Sequence, residues 1–157
     1  MGKVVILMGS KADLDWSTRI ADSCKKYGLE PVLRIASAHK VPLKALDIIR
    51  EFEKENVVFI TVAGRSNALS GFSDAQTYCP VIACPPYGDK FAGTDIYSSL
   101  RMPSGVAPVV VLEPDNAGLA AAKMVGLSDD KVRQKVAEAQ ELQRKKLEDD
   151  NDSLLKG

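Results

Sequence analysis

Short apolar runs, separated by longer segments of helical character, most constrain what this chain can fold into. The runs are KVVILM (residues 3–8), EPVLRIA (30–36), VVFITVA (57–63), PVIACP (80–85) and APVVVLE (107–113). They are rich in Val and Ile and too short for core helices, so they read as buried strands. Between them stand DLDWSTRIADSCKKYG (13–28), PLKALDIIREFEKE (42–55), TDIYSSLR (94–101) and NAGLAAAKMVG (116–126), each read as a helix. Asp13 stands near the start of the first and Gly28 stops it, Pro42 opens the second, and Gly126 stops the last. Strands that alternate with helices need crossover connections, which make the strands parallel and put helices on both faces. The expected fold is α/β, a three-layer αβα sandwich in a single domain, without internal repeats.

Charge and composition exclude several classes of function. Lys plus Arg equals Asp plus Glu, 21 each in 157 residues, so no net field draws in nucleic acid or an anionic membrane. No apolar run approaches the roughly 20 residues that span a bilayer. The start, MGKVVILMGS, runs into a glycine turn too early for a signal peptide, so a cytoplasmic protein is expected. Cys24, Cys79 and Cys84 are odd in number and form no C-x-x-C, which indicates neither a disulfide framework nor a zinc site. They read as small buried apolar residues. One histidine and no acidic cluster argue against a metal site.

The segment from Ser128 onward differs from the rest. SDDKVRQKVAEAQELQRKKLEDDNDSLLKG is strongly helical in propensity, with Ser128 as its cap and Asp129 and Asp130 at the positive end of its dipole. Its apolar stripe is thin: Val132, Val136, Ala139, Leu142 and Leu147. The chain thus divides into an α/β core (1–127) and a C-terminal helix (128–157). That helix is either a charged surface helix fraying near Asp150 or an arm laid against a neighbouring subunit.

Ligands of open parallel sheets bind beyond the carboxyl ends of the strands. The segments there are GSKAD (9–13), SAHK (37–40), AGRSNALSG (63–71) and PPYGDKFAG (85–93). The first suits a phosphate: Gly9 permits a tight turn, Ser10 offers a hydroxyl, and the next helix presents free N–H groups. It is neither a Walker motif nor G-x-G-x-x-G. Asp13 is either the cap of that helix or an acceptor for a ribose hydroxyl. AGRSNALSG places the guanidinium of Arg65, the hydroxyl of Ser66 and the carboxamide of Asn67 consecutively, next to Gly64. The apolar residues among them imply a packed loop whose polar groups need partners. His39, the only imidazole, is either structural or a proton carrier, and imidazole is the one unperturbed side chain that shuttles protons near neutral pH. No Ser or Cys has a visible base for a hydrolase triad. Gly9-Ser10 and Ala63-Gly64 stand where a phosphoaspartate receiver would carry acidic residues.

Taken in order from about Val4 to Gly126, MGSKAD, SAHK, AGRSNALSGF, CPP, DIYSSLRMPSG and NAGLAA resemble the carboxylase family of purine biosynthesis that acts on 5-aminoimidazole ribonucleotide (AIR). The resemblance implies a flavodoxin-like sheet and a homo-oligomer, usually an octamer, with active sites shared between subunits. It implies small-molecule substrates, namely AIR, its 4-carboxy product (CAIR) and carbon dioxide, and neither metal nor organic cofactor. It makes His39 the catalytic base. It assigns substrate binding to Gly9, Ser10, Asp13, Ser37, Ala38, Lys40, Gly64, Arg65, Ser66 and Asn67. The family has a branch that carboxylates AIR directly and a mutase branch that rearranges N5-carboxyaminoimidazole ribonucleotide (N5-CAIR). The mutase pattern reads SAHR and AGGAAHLPG, whereas SAHK and AGRSNALSG resemble the direct carboxylase. One departure is Ala12, where the family's G-S-x-S-D has a second serine. From a different class, a flavin-binding electron carrier shares this fold, but these loops hold few aromatic residues to stack on a flavin, Tyr87 being the nearest.

Overall fold

The computed structural model describes residues 2–88 and 92–155. Its strands are β1 (Lys3–Met8), β2 (Glu30–Ile35), β3 (Val58–Val62), β4 (Val81–Ala83) and β5 (Val109–Val110). All pair in parallel, in the order β2-β1-β3-β4-β5. Val4 stands level with Val58 and Met8 with Val62, so the carboxyl ends of β1 and β3 finish together. The chain leaves β1 for β2 on one side and returns to β3 on the other. That reversal puts a topological switch point between β1 and β3, as in other flavodoxin-like sheets.

The described helices are α1 (Leu14–Lys26), α2 (Pro42–Phe52), α3 (Ala68–Ala75), α4 (Tyr97–Leu100), α5 (Pro114–Val125) and α6 (Asp130–Leu155). Successive strand residues point to opposite faces, and the core divides accordingly. Val4, Ile6 and Met8 pack with α1, α5 and the start of α6 through Ile20, Cys24, Ala117, Ala121, Val132 and Val136. Val5 and Leu7 pack with α2 and α3 through Ala45, Ile48, Phe52 and Leu69. The small residues of NAGLAA let α5 lie close on α1. A Cβ on Gly118 would come within 2.3 Å of Ser23 Oγ, a hydroxyl that donates to Asp115 O at 2.7 Å.

Four local expectations are corrected. The fifth strand is only Val109–Val110, because Pro108 cannot donate to a ladder and the strand lies at the sheet edge. Residues 68–71, read as part of the third loop, instead open α3 (Ala68–Ala75). Asp129 rather than Ser128 caps α6: its Oδ1 accepts from the backbone N–H groups of Lys131 (3.0 Å) and Val132 (3.2 Å). Of the expected stripe on α6, only Val132 and Val136 are buried, while Leu142 and Leu147 are exposed and the helix continues to Leu155 without fraying at Asp150. Residues 89–91 of the fourth loop lie outside the described residues. No described helix is long and apolar enough to cross a membrane.

Candidate active site

A cleft of about 850 Å³ opens at the carboxyl ends of the strands, over the switch point. The loop after β1 supplies Gly9, Ser10, Ala12 and Asp13, and the loop after β2 supplies Ser37, His39 and Lys40. Ala63, Gly64, Arg65 and Ser66 follow β3, and Pro86, Gly88 and Asp95 close the far side. Nine of the eleven residues singled out in the sequence therefore line one cavity, and Ala38 and Asn67 do not.

The first loop is a 3-10 turn, Lys11–Asp13, that leads into α1. Asp13 does not cap α1 with its side chain. Its carboxylate turns back and accepts from Ser10 N at 3.0 Å and Ser10 Oγ at 3.2 Å, so these two residues hold each other. Gly9 is not required for a left-handed turn. Its φ is not positive, and a Cβ there would make only ordinary contacts at 3.6–3.8 Å. Its N–H donates to Val62 O at 2.8 Å and ties the loop to the end of β3.

The second loop turns between Ser37 and Val41, whose N–H donates to Ser37 O at 2.9 Å, and Lys40 N lies 3.3 Å from Ser37 Oγ. Ala38 packs against the α2–α3 side of the core and supports the turn from behind. His39 and Lys40 are exposed. Among the described residues His39 has no hydrogen-bond partner, and neither Lys40 nor Arg65 has a carboxylate partner. The cleft also holds the acids Asp13 and Asp95, but neither cation is paired with them, which leaves both free to meet an anionic group of a ligand.

The third loop is the most constrained. A Cβ on Gly64 would sit 2.8 Å from Pro86 O, so only glycine lets this loop approach the one after β4 so closely. Arg65 has φ +56, in the left-handed region that costs a side-chain-bearing residue about 1–2 kcal/mol. Asn67 is buried behind the cleft wall. Its Oδ1 accepts from Ser70 N at 3.1 Å and caps α3, its Nδ2 donates to Ser99 Oγ at 2.9 Å, and its backbone N–H donates to Ser98 Oγ at 2.9 Å. The carboxamide expected to face a ligand is thus engaged in holding Arg65 and Ser66 at the tip.

Among the described residues no His, Cys, Asp and Glu side chains gather in a metal-binding group. Burial pushes the Cys24 and Cys84 thiols up to about 12, which keeps them neutral and unreactive, as expected for core cysteines. Sequence reasoning missed Asp95. It lies in DIYSSLRMPSG, read there only as part of a helix, and its place on the cleft depends on how the chain returns after β4.

The sheet order and the polar, cation-bearing cleft at its switch point place the chain among flavodoxin-like α/β proteins. Residues 3–146 match the model of the AIR carboxylase family. Phosphoribosylaminoimidazole carboxylase of Archaeoglobus fulgidus is 62% identical over 145 residues, 92% of this chain and 81% of that protein. Phosphoribosylaminoimidazole carboxylase of Treponema denticola is 46% identical over 153 residues, 96% of each chain. The crystal structure of Treponema denticola PurE superposes with a TM-score of 0.95 at 45% identity, covering 98% of this chain and 99% of that one. The chain belongs to the AIR carboxylase family of purine biosynthesis.

Proposed function

We propose that this chain carboxylates AIR directly with carbon dioxide to give CAIR, without metal or organic cofactor. The observation that carries the reading is the joint placement of His39, Lys40, Arg65 and Ser66 on one cleft. The names of its relatives from Archaeoglobus and Treponema support it.

The amino group of AIR pushes electron density onto C4 of the imidazole ring, so C4 attacks carbon dioxide without an electron sink. One C–C bond forms, and C4 becomes an sp³ centre bearing both hydrogen and carboxylate. His39 then takes the C4 proton, the C–H electron pair restores the aromatic ring, and imidazolium results. His39 is suited to this because its ring is exposed to the cleft and not committed to another group. Arg65 and Ser66 are donors for the oxygens of carbon dioxide, whose negative charge grows as the new bond forms. Lys40 supplies charge to the phosphate or the new carboxylate, and Ser37 a hydroxyl. Asp13 is negative and already turned toward Ser10, which suits a ribose hydroxyl better than a phosphate. Ser10 and the N–H groups of the first turn, with Gly9 and Gly64 shaping the walls, take the phosphate side.

The direct branch is favoured over the mutase by Lys40 and by Arg65. The mutase pattern has a glycine where this chain holds an arginine at positive φ, so a donor is kept where the backbone disfavours any side chain. The test is a pair of assays, one with AIR plus bicarbonate and one with N5-CAIR while free carbon dioxide is swept out, each with His39→Asn as control. CAIR should form only from AIR and bicarbonate, and the control should lose at least about a hundredfold in kcat. Rapid enzymatic conversion of N5-CAIR would assign the mutase branch instead.

A further inference from the structure

We propose that Asp95 is a further catalytic residue whose carboxylate accepts an N–H from the exocyclic amine of the aminoimidazole ring; this rests on the AIR reading above. Asp95 lines the same cleft as His39, Arg65 and Ser66. One carboxylate oxygen, Oδ2, lies 3.4 Å from the backbone N of Gly88, a long and weak hydrogen bond. The other, Oδ1, is buried with no partner among the described residues. Buried polar atoms are nearly always paired, and a dry, unpaired carboxylate oxygen is costly. A ligand carrying an N–H would complete it.

The carboxylate is also fixed relative to the reacting groups. The backbone oxygen of Asp95 accepts from Ser98 Oγ at 2.8 Å, and that same hydroxyl accepts from Asn67 N at 2.9 Å. Asn67 Nδ2 donates to Ser99 Oγ in the next position. The segment carrying Asp95 is therefore hydrogen-bonded directly to the loop that carries Arg65 and Ser66.

Charge decides which part of the substrate Asp95 meets. The phosphate and the new carboxylate are anionic, and Lys40 and Arg65 are the cations that suit them. A carboxylate repels both groups and attracts the amine. Asp13, the other acid of the cleft, is held against Ser10. The amine is also where a negative neighbour helps the reaction most. As C4 attacks carbon dioxide, the nitrogen lone pair moves into the C5–N bond and the nitrogen becomes iminium-like and positive. The attraction to Asp95 therefore strengthens toward the transition state, which is what makes an electrostatic contact catalytic. When His39 removes the C4 proton, the C–H electron pair restores the C4–C5 double bond, the C5–N π pair returns to nitrogen, and the nitrogen is neutral again. Asp95 neither gains nor loses a proton.

Asp95→Asn separates this role from a structural one, because its amide oxygen still accepts from Gly88 N while the charge is gone. Wild type and D95N, each first checked for an intact thermal transition, are titrated calorimetrically with AIR and with the imidazole ribonucleotide lacking the amine, and kcat is measured. D95N should lose about a hundredfold in kcat, the scale for one preorganised electrostatic contact. It should bind AIR more weakly than wild type does, yet bind the amine-free analogue within about twofold of wild type. A kcat within threefold of wild type overturns the proposal, as does an equal loss of affinity for both compounds, which would make Asp95 a strut for the 85–88 loop. If D95N does not fold, Asp95→Glu, which keeps the charge but displaces it, is judged by the same pair of titrations. A wild type that neither binds nor carboxylates AIR would fail the underlying reading itself, an outcome distinct from any defect confined to the variant.

Discussion

At the scale of single residues, Arg65 is where function and stability pull apart. Its φ of +56 is cheap for glycine and costs other residues about 1–2 kcal/mol. Its side chain is exposed and has no ion pair among the described residues to offset that cost. Strain of this kind, when it persists at a cleft, points to a side chain needed for the chemistry. Arg65→Gly relieves the strain but adds backbone freedom to the unfolded chain, worth roughly 0.5–1 kcal/mol in the opposite direction. The melting temperature should therefore stay level or rise slightly, by at most about 4 °C for a domain of this size. Under the proposed function, carboxylation should fall by at least tenfold in kcat/KM, since the proposed donor to the forming carboxylate is gone. A simultaneous loss of stability and activity would show that Arg65 holds the loop rather than the substrate. Its residue type was readable in the sequence, but its strained backbone was not, because positive φ leaves no mark when the residue is not glycine.

Elements were legible to the degree that their apolar pattern was local. β1 to β4, α1, α2 and α5 all appear close to where runs and caps put them, because the apolar runs of the strands and the spacing of the helices are written in neighbouring residues. α3 was not legible. It has eight residues, several of them small, and its pattern of Leu69 and Phe72 is too short to rise above a loop. What makes it a helix is tertiary: burial of Leu69 against α2 and the sheet, and a cap from Asn67, the residue that looked most like a ligand donor. These bonds make Asn67 part of the scaffold and give it a measurable weight. Asn67→Ala removes the cap, worth about 1 kcal/mol, and leaves the buried Ser99 hydroxyl without its donor, worth roughly 1–3 kcal/mol more. Urea denaturation should show a loss of about 2–4 kcal/mol with an unchanged slope. Because the same side chain positions the Arg65–Ser66 tip, kcat should fall as well. Full stability with lost activity would instead restore Asn67 to the substrate.

At the scale of the whole molecule, α6 is the element that the single chain does not explain. Its first turns belong to the core, through Val132 and Val136. Beyond them the helix half-buries only Ala139 and Gln140 among the described residues, and Leu142, Leu147, Leu154 and Leu155 are each 69% exposed or more. Intrinsic propensity rarely holds a helix without packing, and exposed pairs such as Arg144–Glu141 and Lys146–Asp150 contribute only about 0.3–0.5 kcal/mol each. The body of the domain carries exposed apolar side chains too, among them Leu43, Tyr78 and Tyr97, each 68% exposed or more. Large apolar groups on both the arm and the body are what a subunit interface needs. The homo-oligomer implied by the family resemblance would cover both. The cut that tests this is not at the start of the helix, where it would also remove two core valines. Truncation after Gln140 keeps Val132 and Val136 and removes all four exposed leucines. The truncated protein should keep its circular dichroism signature apart from the lost helix, and its mass in sedimentation should drop from the full-length oligomer to a smaller species. If the mass is unchanged, the outer part of α6 is a solvated extension and the oligomer is built by the body alone.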